Sequence, residues 1–279
     1  MPRMTGGQAL VKSLYLEGVR VIFGLPGVQL YHAMDALYEE PGIRFISTRH
    51  EQATAYMADG YSRAGGGIGT ALVVPGPGLL NASAAISTAY SASSPIMVVS
   101  GQVERDLIGK DRGMLHEVND QLEAIRPITK FARRVLDPAE VPEAVHEAFY
   151  HLKNGRPRPL EIEIPPETLR EVTDVELIEP EMGRPLEPNQ DKISEAARML
   201  AAAKNPLIWA GGGVISSGAS DALVNLAEFL QAPVITTTEA RGAISDRHPL
   251  ALGCLWLRRD TVAKDPAEHD VILGVGTRF

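Results

Sequence analysis

Glu51 is the residue whose type and position are best suited to chemistry. It follows a predicted strand over residues 43–47 and begins a predicted helix over residues 51–63. Open α/β sheets bind their ligands at the carboxyl ends of the strands, where such a carboxylate would stand. An acidic residue in the first helical turn is, however, favoured by the helix dipole in any protein. Glu51 is therefore either a candidate acid/base group or simply a helix start, and its neighbours must decide between the two.

Two turns rich in glycine and proline follow other predicted strands. They are Gly24-Leu25-Pro26-Gly27, after a strand over 19–23, and Pro75-Gly76-Pro77-Gly78, after a strand over 69–74. Glycine in such turns permits a positive φ angle, and it also lets a flat ring approach the backbone closely. A phosphate cradle is the rival interpretation, but neither turn has the P-loop ending or the G-x-G-x-x-G spacing. The turns therefore favour a site for a ring.

Alternating strands and helices must position these residues. The predicted strands are 19–23, 43–47, 69–74, 96–100 and 159–164, and the predicted helices are 8–17, 30–39, 51–63, 79–92 and 139–152. Strands that alternate with helices of this length form a parallel sheet covered on both faces. Residues 102–120 form a long polar connection, which in a compact domain is more often functional than not. Residues 1–166 are thus predicted to form one doubly wound α/β domain.

A second α/β domain is predicted after an acidic, proline-rich linker at residues 167–190. It covers residues 191–279, with helices over 191–203 and 217–230 and strands over 206–210, 233–236 and 271–275. Three strands make a small parallel sheet, so this second doubly wound domain is expected to be incomplete. Gly211-Gly212-Gly213 favours a tight turn between strand and helix, because the full dinucleotide fingerprint is missing. An oxidoreductase that binds a nicotinamide or flavin there is the less supported alternative.

Composition excludes several classes of protein. The 279 residues are 44% hydrophobic, carry a formal charge of −8 and contain no long basic run, which argues against nucleic acid as a partner. Apolar runs are only strand-sized and the N-terminus lacks a signal-peptide core, so no membrane association and a cytoplasmic location are predicted. One cysteine, Cys254, and scattered histidines predict neither a disulfide nor a metal site in this chain.

Several motifs, in order, resemble those of thiamine diphosphate enzymes of the acetolactate synthase-like branch. They are Gly24-Leu25-Pro26-Gly27, Arg49-His50-Glu51-Gln52, Ala58-Asp59-Gly60-Tyr61, Gly76-Pro77-Gly78-Leu79-Leu80-Asn81 and Arg126-Pro127-Ile128-Thr129-Lys130. The resemblance implies that Glu51 bonds N1′ of the cofactor's aminopyrimidine ring and so promotes loss of the C2 proton of its thiazolium ring. It also implies a pocket formed by Gly24, Pro26, Gly27, Pro75, Gly76, Gly78 and Asn81. The expected reaction makes or breaks a carbon–carbon bond next to the carbonyl of a 2-oxo acid.

The chain departs from the acetolactate synthase pattern at two places. His116 and Glu117 stand where that group has Phe-Gln, and Pro165-Pro166 stands where it has Pro-Lys. Because those family residues shape the acceptor side of the pocket, a 2-oxo acid decarboxylase or a 2-hydroxyacyl-CoA lyase stays open. His116 is a candidate acid/base group, although a lone histidine in a loop is more often simply solvated. Glyoxylate carboligases lack the glutamate, so Glu51 argues against that identity.

The resemblance also predicts what this chain does not bind by itself. Bulky residues, Cys254-Leu255-Trp256-Leu257-Arg258-Arg259, replace the family's Gly-Met-His-Gly segment, so FAD is not expected. The family's segment for Mg²⁺ and the diphosphate is not found in these residues, so the metal ligands are expected elsewhere. The chain is thus predicted to be the N-terminal half of a homodimeric or homotetrameric transferase or lyase, inactive alone. A non-catalytic truncated half is the remaining alternative.

Overall fold

The computed structural model describes residues 1–181, 186–254 and 269–278. The chain divides into two compact units, Met1–Arg184 and Pro185–Phe279. The boundary lies within the segment predicted as a linker. Each unit is an α/β structure with its own parallel sheet, as the sequence predicts.

The first unit contains eight strands and seven α-helices among its described residues. Its strands are β1 (Arg3–Thr5), β2 (Val21–Gly24), β3 (Arg44–Ser47), β4 (Gly69–Val73), β5 (Ile96–Gly101), β6 (Phe131–Arg134), β7 (Leu160–Ile164) and β8 (Val172–Asp174). Its helices are α1 (Gly6–Leu16), α2 (Tyr31–Glu39), α3 (Glu51–Arg63), α4 (Pro77–Ala92), α5 (Gln121–Ile125), α6 (Val141–Lys153) and α7 (Pro166–Arg170).

Six of these strands form one sheet in the order β3-β2-β4-β5-β7-β6, and every pairing in it is parallel. Successive residues of β4 bury their side chains on opposite faces. Leu72 packs in a core with residues of α1, α2 and α6. Ala71 and Val73 pack in a second core with residues of α3 and α4. Helices therefore cover both faces, which is the doubly wound arrangement that continuous apolar strands predict.

The structure adds elements that the sequence pattern does not reveal. β6 is an edge strand of the sequence FARR, and it lacks the apolar run that marks the central strands. β8 lies inside the predicted 167–190 linker and pairs antiparallel with β1 at the start of the chain. The β8–β1 and β6–β7 pairings both join residues far apart in sequence, so local periodicity does not predict them.

The second unit contains helices α8 (Gln190–Ala202), α9 (Gly213–Ser216) and α10 (Ser220–Leu230), and strands β9 (Pro206–Ala210), β10 (Val234–Thr236), β11 (Ala251–Cys254) and β12 (Val271–Val275). The sheet order is β11-β10-β9-β12, again parallel throughout. β11 is one strand more than the sequence predicts. A β-carbon at Gly211 would lie 2.2 Å from the Gly276 carbonyl oxygen, so this glycine permits close packing of two backbone segments.

Across the described residues, none of the helices combines the length and apolar character that crossing a bilayer requires.

Candidate functional site

The predicted site residues lie at the carboxyl edge of the first sheet. β3, β2 and β4 are neighbours, and they end at Ser47, Gly24 and Val73. Parallel strands place all their carboxyl ends on one edge. The turn after each strand therefore opens at the same edge, where α/β sheets bind ligands.

Glu51 is the first residue of α3 and is only 8% exposed. The helix is capped by His50, whose Nδ1 accepts the backbone N–H of Gln52 at 3.1 Å. Asn81, on α4, donates its side-chain Nδ2–H to Glu51 Oε2 at 3.0 Å. Within the described part of the chain, no other group donates to this carboxylate, so Oε1 retains its capacity to accept a hydrogen bond. A shielded carboxylate with one engaged and one available oxygen suits a ligand N–H.

Gly27 and Gly78 bring the two predicted turns together against one side chain. A β-carbon at Gly27 would lie 2.1 Å from Val74 Cγ1, and one at Gly78 would lie 2.5 Å from Val74 Cγ2. The added carbon at Gly78 would also stand 3.5 Å from Glu51 Oε1. Glycine at position 78 thus leaves the free carboxylate oxygen uncovered. A side chain there would occupy the space that a flat ring beside Glu51 needs.

The other predicted pocket residues lie at the end of β2 and in the turns that follow β2 and β4. Gly24 ends β2, and a β-carbon added to it would lie 2.4 Å from Cε2 of the Phe45 ring. Pro26 lies in the turn that follows. Pro75 begins the second turn, where its Cδ lies 2.9 Å from the position of a β-carbon on Gly101. The structure therefore brings together the turns after β2, β4 and β5 as well as the start of α3.

The long connection at residues 102–120 lies against the turn at Gly76. Gly76 has a φ angle of +54°, and a β-carbon there would lie 2.1 Å from the carbonyl oxygen of His116. Only glycine meets both requirements, since other residues are strained at positive φ and would collide with the connection. The polar connection is thus part of the candidate site, through backbone packing.

His116 has a defined hydrogen-bonding partner. Its Nδ1 lies 3.0 Å from Gln29 Oε1, while Gln29 Nε2 donates to the carbonyl oxygen of Leu115 at 3.1 Å. The Leu115 carbonyl can only accept, so the NH₂ group of Gln29 faces it and the Gln29 oxygen faces the imidazole ring. That oxygen can also only accept, so His116 Nδ1 must carry the proton. In the neutral ring Nε2 is then the basic nitrogen. The structure records no contact between His116 and Glu51.

Glu117 supports the fold of the connection. Its carboxylate accepts the backbone N–H groups of Met114 at 2.9 Å and Arg112 at 3.2 Å. These backbone donors, Met114 first, lower the pKa of Glu117 below its ordinary value. A carboxylate engaged in this way holds the loop that presents His116.

Two buried glutamines at the site were missed by the sequence analysis. Gln29 orients His116, and Gln121 accepts the Gly76 backbone N–H at 2.7 Å through its Oε1. Both are polar residues at buried positions, 7% and 2% exposed. Their partners lie 87 and 45 residues away in sequence, so no local pattern could identify them.

Comparisons with known proteins identify the family. The family model of the thiamine pyrophosphate enzyme N-terminal TPP binding domain matches residues 4–124, and that of the central domain matches residues 193–279. The chain belongs to the thiamine pyrophosphate enzymes. The resemblance found in the motifs is confirmed, and the Glu51–Asn81 pair lies inside the segment that the N-terminal domain model matches.

Individual relatives match nearly all of this chain. A probable acetolactate synthase large subunit from Methanocaldococcus jannaschii is 39% identical over 99% of the chain and 47% of the relative. The acetolactate synthase isozyme 3 large subunit of Escherichia coli is 35% identical over 100% of the chain and 49% of the relative. A probable 2-ketoarginine decarboxylase from Pseudomonas aeruginosa is 37% identical over 99% of the chain and 49% of the relative. The chain spans about half the length of the curated relatives it matches.

Two cofactor predictions concern other parts of the chain. The sequence change that predicts no FAD begins at Cys254, and residues 255–259 lie outside the described residues. That prediction stays untested. Residues 1–181, 186–254 and 269–278 contain no cluster of three acidic, histidine or cysteine side chains suited to a metal ion.

Proposed function

We propose that this chain is the N-terminal half of a thiamine diphosphate-dependent enzyme that makes or breaks a carbon–carbon bond next to the carbonyl of a 2-oxo acid. The observation that carries the proposal is Glu51, shielded at the carboxyl edge of the sheet with Asn81 on one oxygen. Relatives named as acetolactate synthases support a transferase or lyase of that kind.

The residues present fit the aminopyrimidine ring of the cofactor. Asn81 fixes one carboxylate oxygen of Glu51, and Gly78 leaves the other uncovered. We assign to Glu51 the exchange of a proton with the ring nitrogen. We assign the wall of the pocket to Gly24, Pro26, Gly27, Pro75, Gly76 and Gly78. When bound, thiamine diphosphate supplies a nucleophilic carbon and an electron sink, while the protein supplies orientation and a proton partner.

His116 is proposed as a second acid/base group. Gln29 Oε1 accepts the hydrogen bond from His116 Nδ1–H, so Nε2 of the neutral ring is available to accept a proton from substrate or water. A histidine suits this role because its ordinary pKa lies near neutral pH. The positive φ angle of His116, +70°, is a constrained conformation that the connection must maintain.

A 2-oxo acid decarboxylase is the second candidate function. It is favoured by His116 and Glu117, which stand where acetolactate synthases have Phe-Gln. The similarity to a protein named as a probable 2-ketoarginine decarboxylase points the same way. A decarboxylase replaces the carboxylate that leaves as CO₂ by a proton, and an acid such as His116 could supply that proton. A 2-hydroxyacyl-CoA lyase shares the cofactor chemistry.

The other sequence predictions remain part of this proposal. They are a cytoplasmic homodimer or homotetramer, Mg²⁺ and diphosphate ligands supplied by other residues, no FAD, and no catalysis by this half alone. A calorimetric titration of the 279-residue chain with thiamine diphosphate and Mg²⁺ should then give no heat of binding. Tight Mg²⁺-dependent binding would contradict this division of the site.

The decisive experiment replaces Glu51 by Gln in the full-length enzyme. Exchange of the cofactor's C2 proton with D₂O, followed by NMR, should slow by about 10²-fold or more, the usual contribution of a positioned acid or base. Glu143→Gln, a change at a glutamate of α6 whose side chain is 66% exposed, is the control and should leave the rate unaltered. Exchange at the wild-type rate in the Glu51 variant would refute the assignment.

Product analysis separates the two candidate reactions. The full-length enzyme is incubated with pyruvate and, separately, with 2-oxo acids that carry longer or cationic side chains. Acetolactate formation from pyruvate supports the first candidate. Release of CO₂ and an aldehyde without carbon–carbon bond formation supports the decarboxylase. In the second case His116→Phe should lower aldehyde release, since the proposed acid is lost.

A further inference from the structure

Three polar side chains lie side by side across three strands next to the candidate site, and two of them are fully buried. Ser100 on β5, Glu163 on β7 and Arg134 on β6 are in register. Ser100 and Glu163 are 0% exposed, and Arg134 Nε forms an ion pair with Glu163 Oε1. Polar groups at this depth must satisfy one another, because water is not available to them.

Gln121, the first residue of α5, joins this row to the Gly76 turn. Its Nε2 donates toward Glu163 Oε2 at 2.8 Å, Ser100 Oγ at 2.9 Å and the Gly101 carbonyl oxygen at 3.1 Å. Its Oε1 accepts the Gly76 N–H at 2.7 Å. The reversed amide would set its oxygen against a carbonyl and a carboxylate, and its NH₂ against another N–H. The network therefore fixes the orientation of this carboxamide.

Glu161, on the same face of β7, completes the network. Ser100 Oγ accepts from Gln121, so its own proton is donated to Glu161 Oε1 at 2.6 Å. Glu161 Oε2 is buried with no hydrogen-bond partner among the described residues. Burial raises the pKa of Glu161 well above its ordinary value, and the charge of Glu163 raises it further, against smaller opposing effects of Ser100 and Arg134. A neutral Glu161 leaves one carboxylate, Glu163, matched by one cation, Arg134.

The contact with Gly76 gives the network a link to function. Gly76 is the N-cap of α4 and has a positive φ angle. The backbone of His116 occupies the position that a β-carbon on Gly76 would take. The Gly76 N–H donates to Gln121 Oε1, and Gln121 Nε2 donates to the Gly101 carbonyl oxygen at the end of β5. The Gly76 turn and the start of the 102–120 connection are thus tied to one side chain.

We propose that Gln121 is a positioning residue of the cofactor site: oriented by Glu163, its carboxamide holds the Gly76 turn in the conformation that leaves the Glu51 carboxylate accessible. The proposal rests on the proposed function for its consequence, cofactor binding, but its structural claim concerns this chain alone. Gln121 touches neither Glu51 nor the space beside it in this arrangement, so it acts through Gly76.

Amide hydrogen exchange in the 279-residue chain tests the structural claim. In Gln121→Met the Gly76 amide should exchange about tenfold faster, because a buried donor loses its acceptor. The Leu72 amide on β4 should keep its wild-type rate. Gln102→Met is the matched control: Gln102 is also 2% exposed, but its Oε1 accepts only the adjacent Val103 N–H. Unchanged exchange at Gly76, or equal acceleration at Leu72, would overturn the proposal.

The isosteric variant Gln121→Glu adds a readout that a loss of packing would not produce. The new carboxyl faces Glu163 directly, while Glu161, Arg134 and Asp120 are the other ionisable groups around it. As the pH rises, its ionisation should repel Glu163 and release Gly76. Protection of the Gly76 amide, corrected for intrinsic exchange, should therefore fall with pH in this variant and not in the wild type. A pH-independent protection in Gln121→Glu equal to that of the wild type would contradict the proposed orientation by Glu163.

The consequence for binding is measured in the full-length enzyme. Gln121→Met should weaken the affinity for thiamine diphosphate about tenfold and leave kcat at saturating cofactor near the wild-type value. Glu51→Gln should instead lower the rate at saturation. If Glu51→Gln has no effect, the proposed function fails while the Gly76 exchange result still stands. If the Gly76 amide responds but cofactor affinity does not, the positioning role is refuted.

Discussion

Glu51 and Glu161 are both shielded from solvent in the first unit, but they meet different surroundings. Glu51 begins a helix, where backbone N–H groups favour a carboxylate, and it has an amide partner and an uncovered oxygen. Glu161 lies within the central part of a strand, 0% exposed, and its second oxygen has no partner among the described residues. Burial alone therefore does not identify a catalytic carboxyl group. The access of one oxygen to a ligand distinguishes Glu51.

Glu51 and Glu161 also show two ways in which this α/β unit accommodates an acidic group. At the carboxyl edge, the helix dipole stabilises the charge of Glu51, and the glycine turns leave space beside its carboxylate. Inside β7 a buried charge requires a cation, and Arg134 forms an ion pair with Glu163 and none with Glu161. Glu161 is accommodated by its raised pKa, as a neutral acid beside Ser100. The following predictions test this contrast.

Removing the cation of the buried pair should have the largest effect. Arg134→Met leaves Glu163 buried without its counter-charge, which should lower the free energy of unfolding by about 3–5 kcal/mol. Arg133→Met is the matched control. Arg133 is equally exposed, at 24% against 25%, but its partners Glu140, Glu143 and Glu147 are 40–66% exposed. Its loss should cost less than about 1 kcal/mol. Equal losses in urea denaturation would mean that Glu163 does not depend on Arg134.

Replacing the carboxyl group of Glu161 by an amide should change the pH dependence of stability. The native state holds the proton more tightly than the unfolded chain, because the folded-state pKa is raised. Wild-type stability therefore falls as the pH rises from about 4.5 toward the raised native value, by roughly 1 kcal/mol per pH unit. Glu161→Gln removes this decline, so its advantage over the wild type should grow with pH across that window.

Denaturation of both proteins at several pH values provides the measurement for Glu161. Glu123→Gln serves as the control, because its side chain is 64% exposed and its pair with Arg126 is on the surface. That control should show a small difference that does not change with pH. A constant difference for Glu161→Gln as well would show that Glu161 is not the group that retains the proton.

A second charge beside Glu51 should have an intermediate effect. Asn81→Asp replaces the amide donor, 3.0 Å from Glu51 Oε2, by a carboxylate. We expect a loss of about 1 kcal/mol at low ionic strength, reduced by added salt because the side chain of Asn81 is reached by solvent. Asn81→Ser, which removes the amide without adding charge, should lose less and show little salt dependence. A salt-independent loss in Asn81→Asp would argue against repulsion between the two carboxylates.

Glu51→Gln should have the smallest effect on stability. The variant loses a favourable interaction with the helix dipole, about 0.3–1 kcal/mol, and keeps the length and shape of the side chain. Thermal unfolding of the chain should detect this small loss, although the same change is expected to abolish most catalytic function. A large loss of stability would mean that Glu51 is mainly a structural group and would weaken the contrast with Glu161.

Much of the first unit could be predicted because its signals are local. The helix that begins at Glu51 and ends at Arg63 has the predicted bounds. The cap of α1 is local in the same sense, since the Thr5 hydroxyl oxygen accepts the Gln8 N–H at 3.1 Å. Capping and periodicity depend on residues within one or two turns of each other. The candidate site residues were found in the same way, as motifs of adjacent residues after predicted strands.

The positions of Gln29, Gln121 and the β7 glutamates could not be predicted in this way. Gln121 bonds Gly76 and Glu163 across 45 and 42 residues, and Ser100 bonds Glu161 across 61. In the sequence, Glu161 and Glu163 alternate with Leu160, Ile162 and Ile164, which is typical of a strand with one face in solvent. Both glutamates are instead fully buried, and polar side chains from other segments, Gln121 and Arg134 on Glu163 and Ser100 on Glu161, bond them there.

The sequence by itself determined the α/β class, the elements that carry the turns, and the family to which Glu51 and its motifs belong. Tertiary structure alone decided which of the acidic residues has an oxygen open to a ligand and which is enclosed. The physical reason is that helix and strand formation depend on neighbouring residues, whereas burial and hydrogen-bond partners depend on segments that meet only after the sheet has formed.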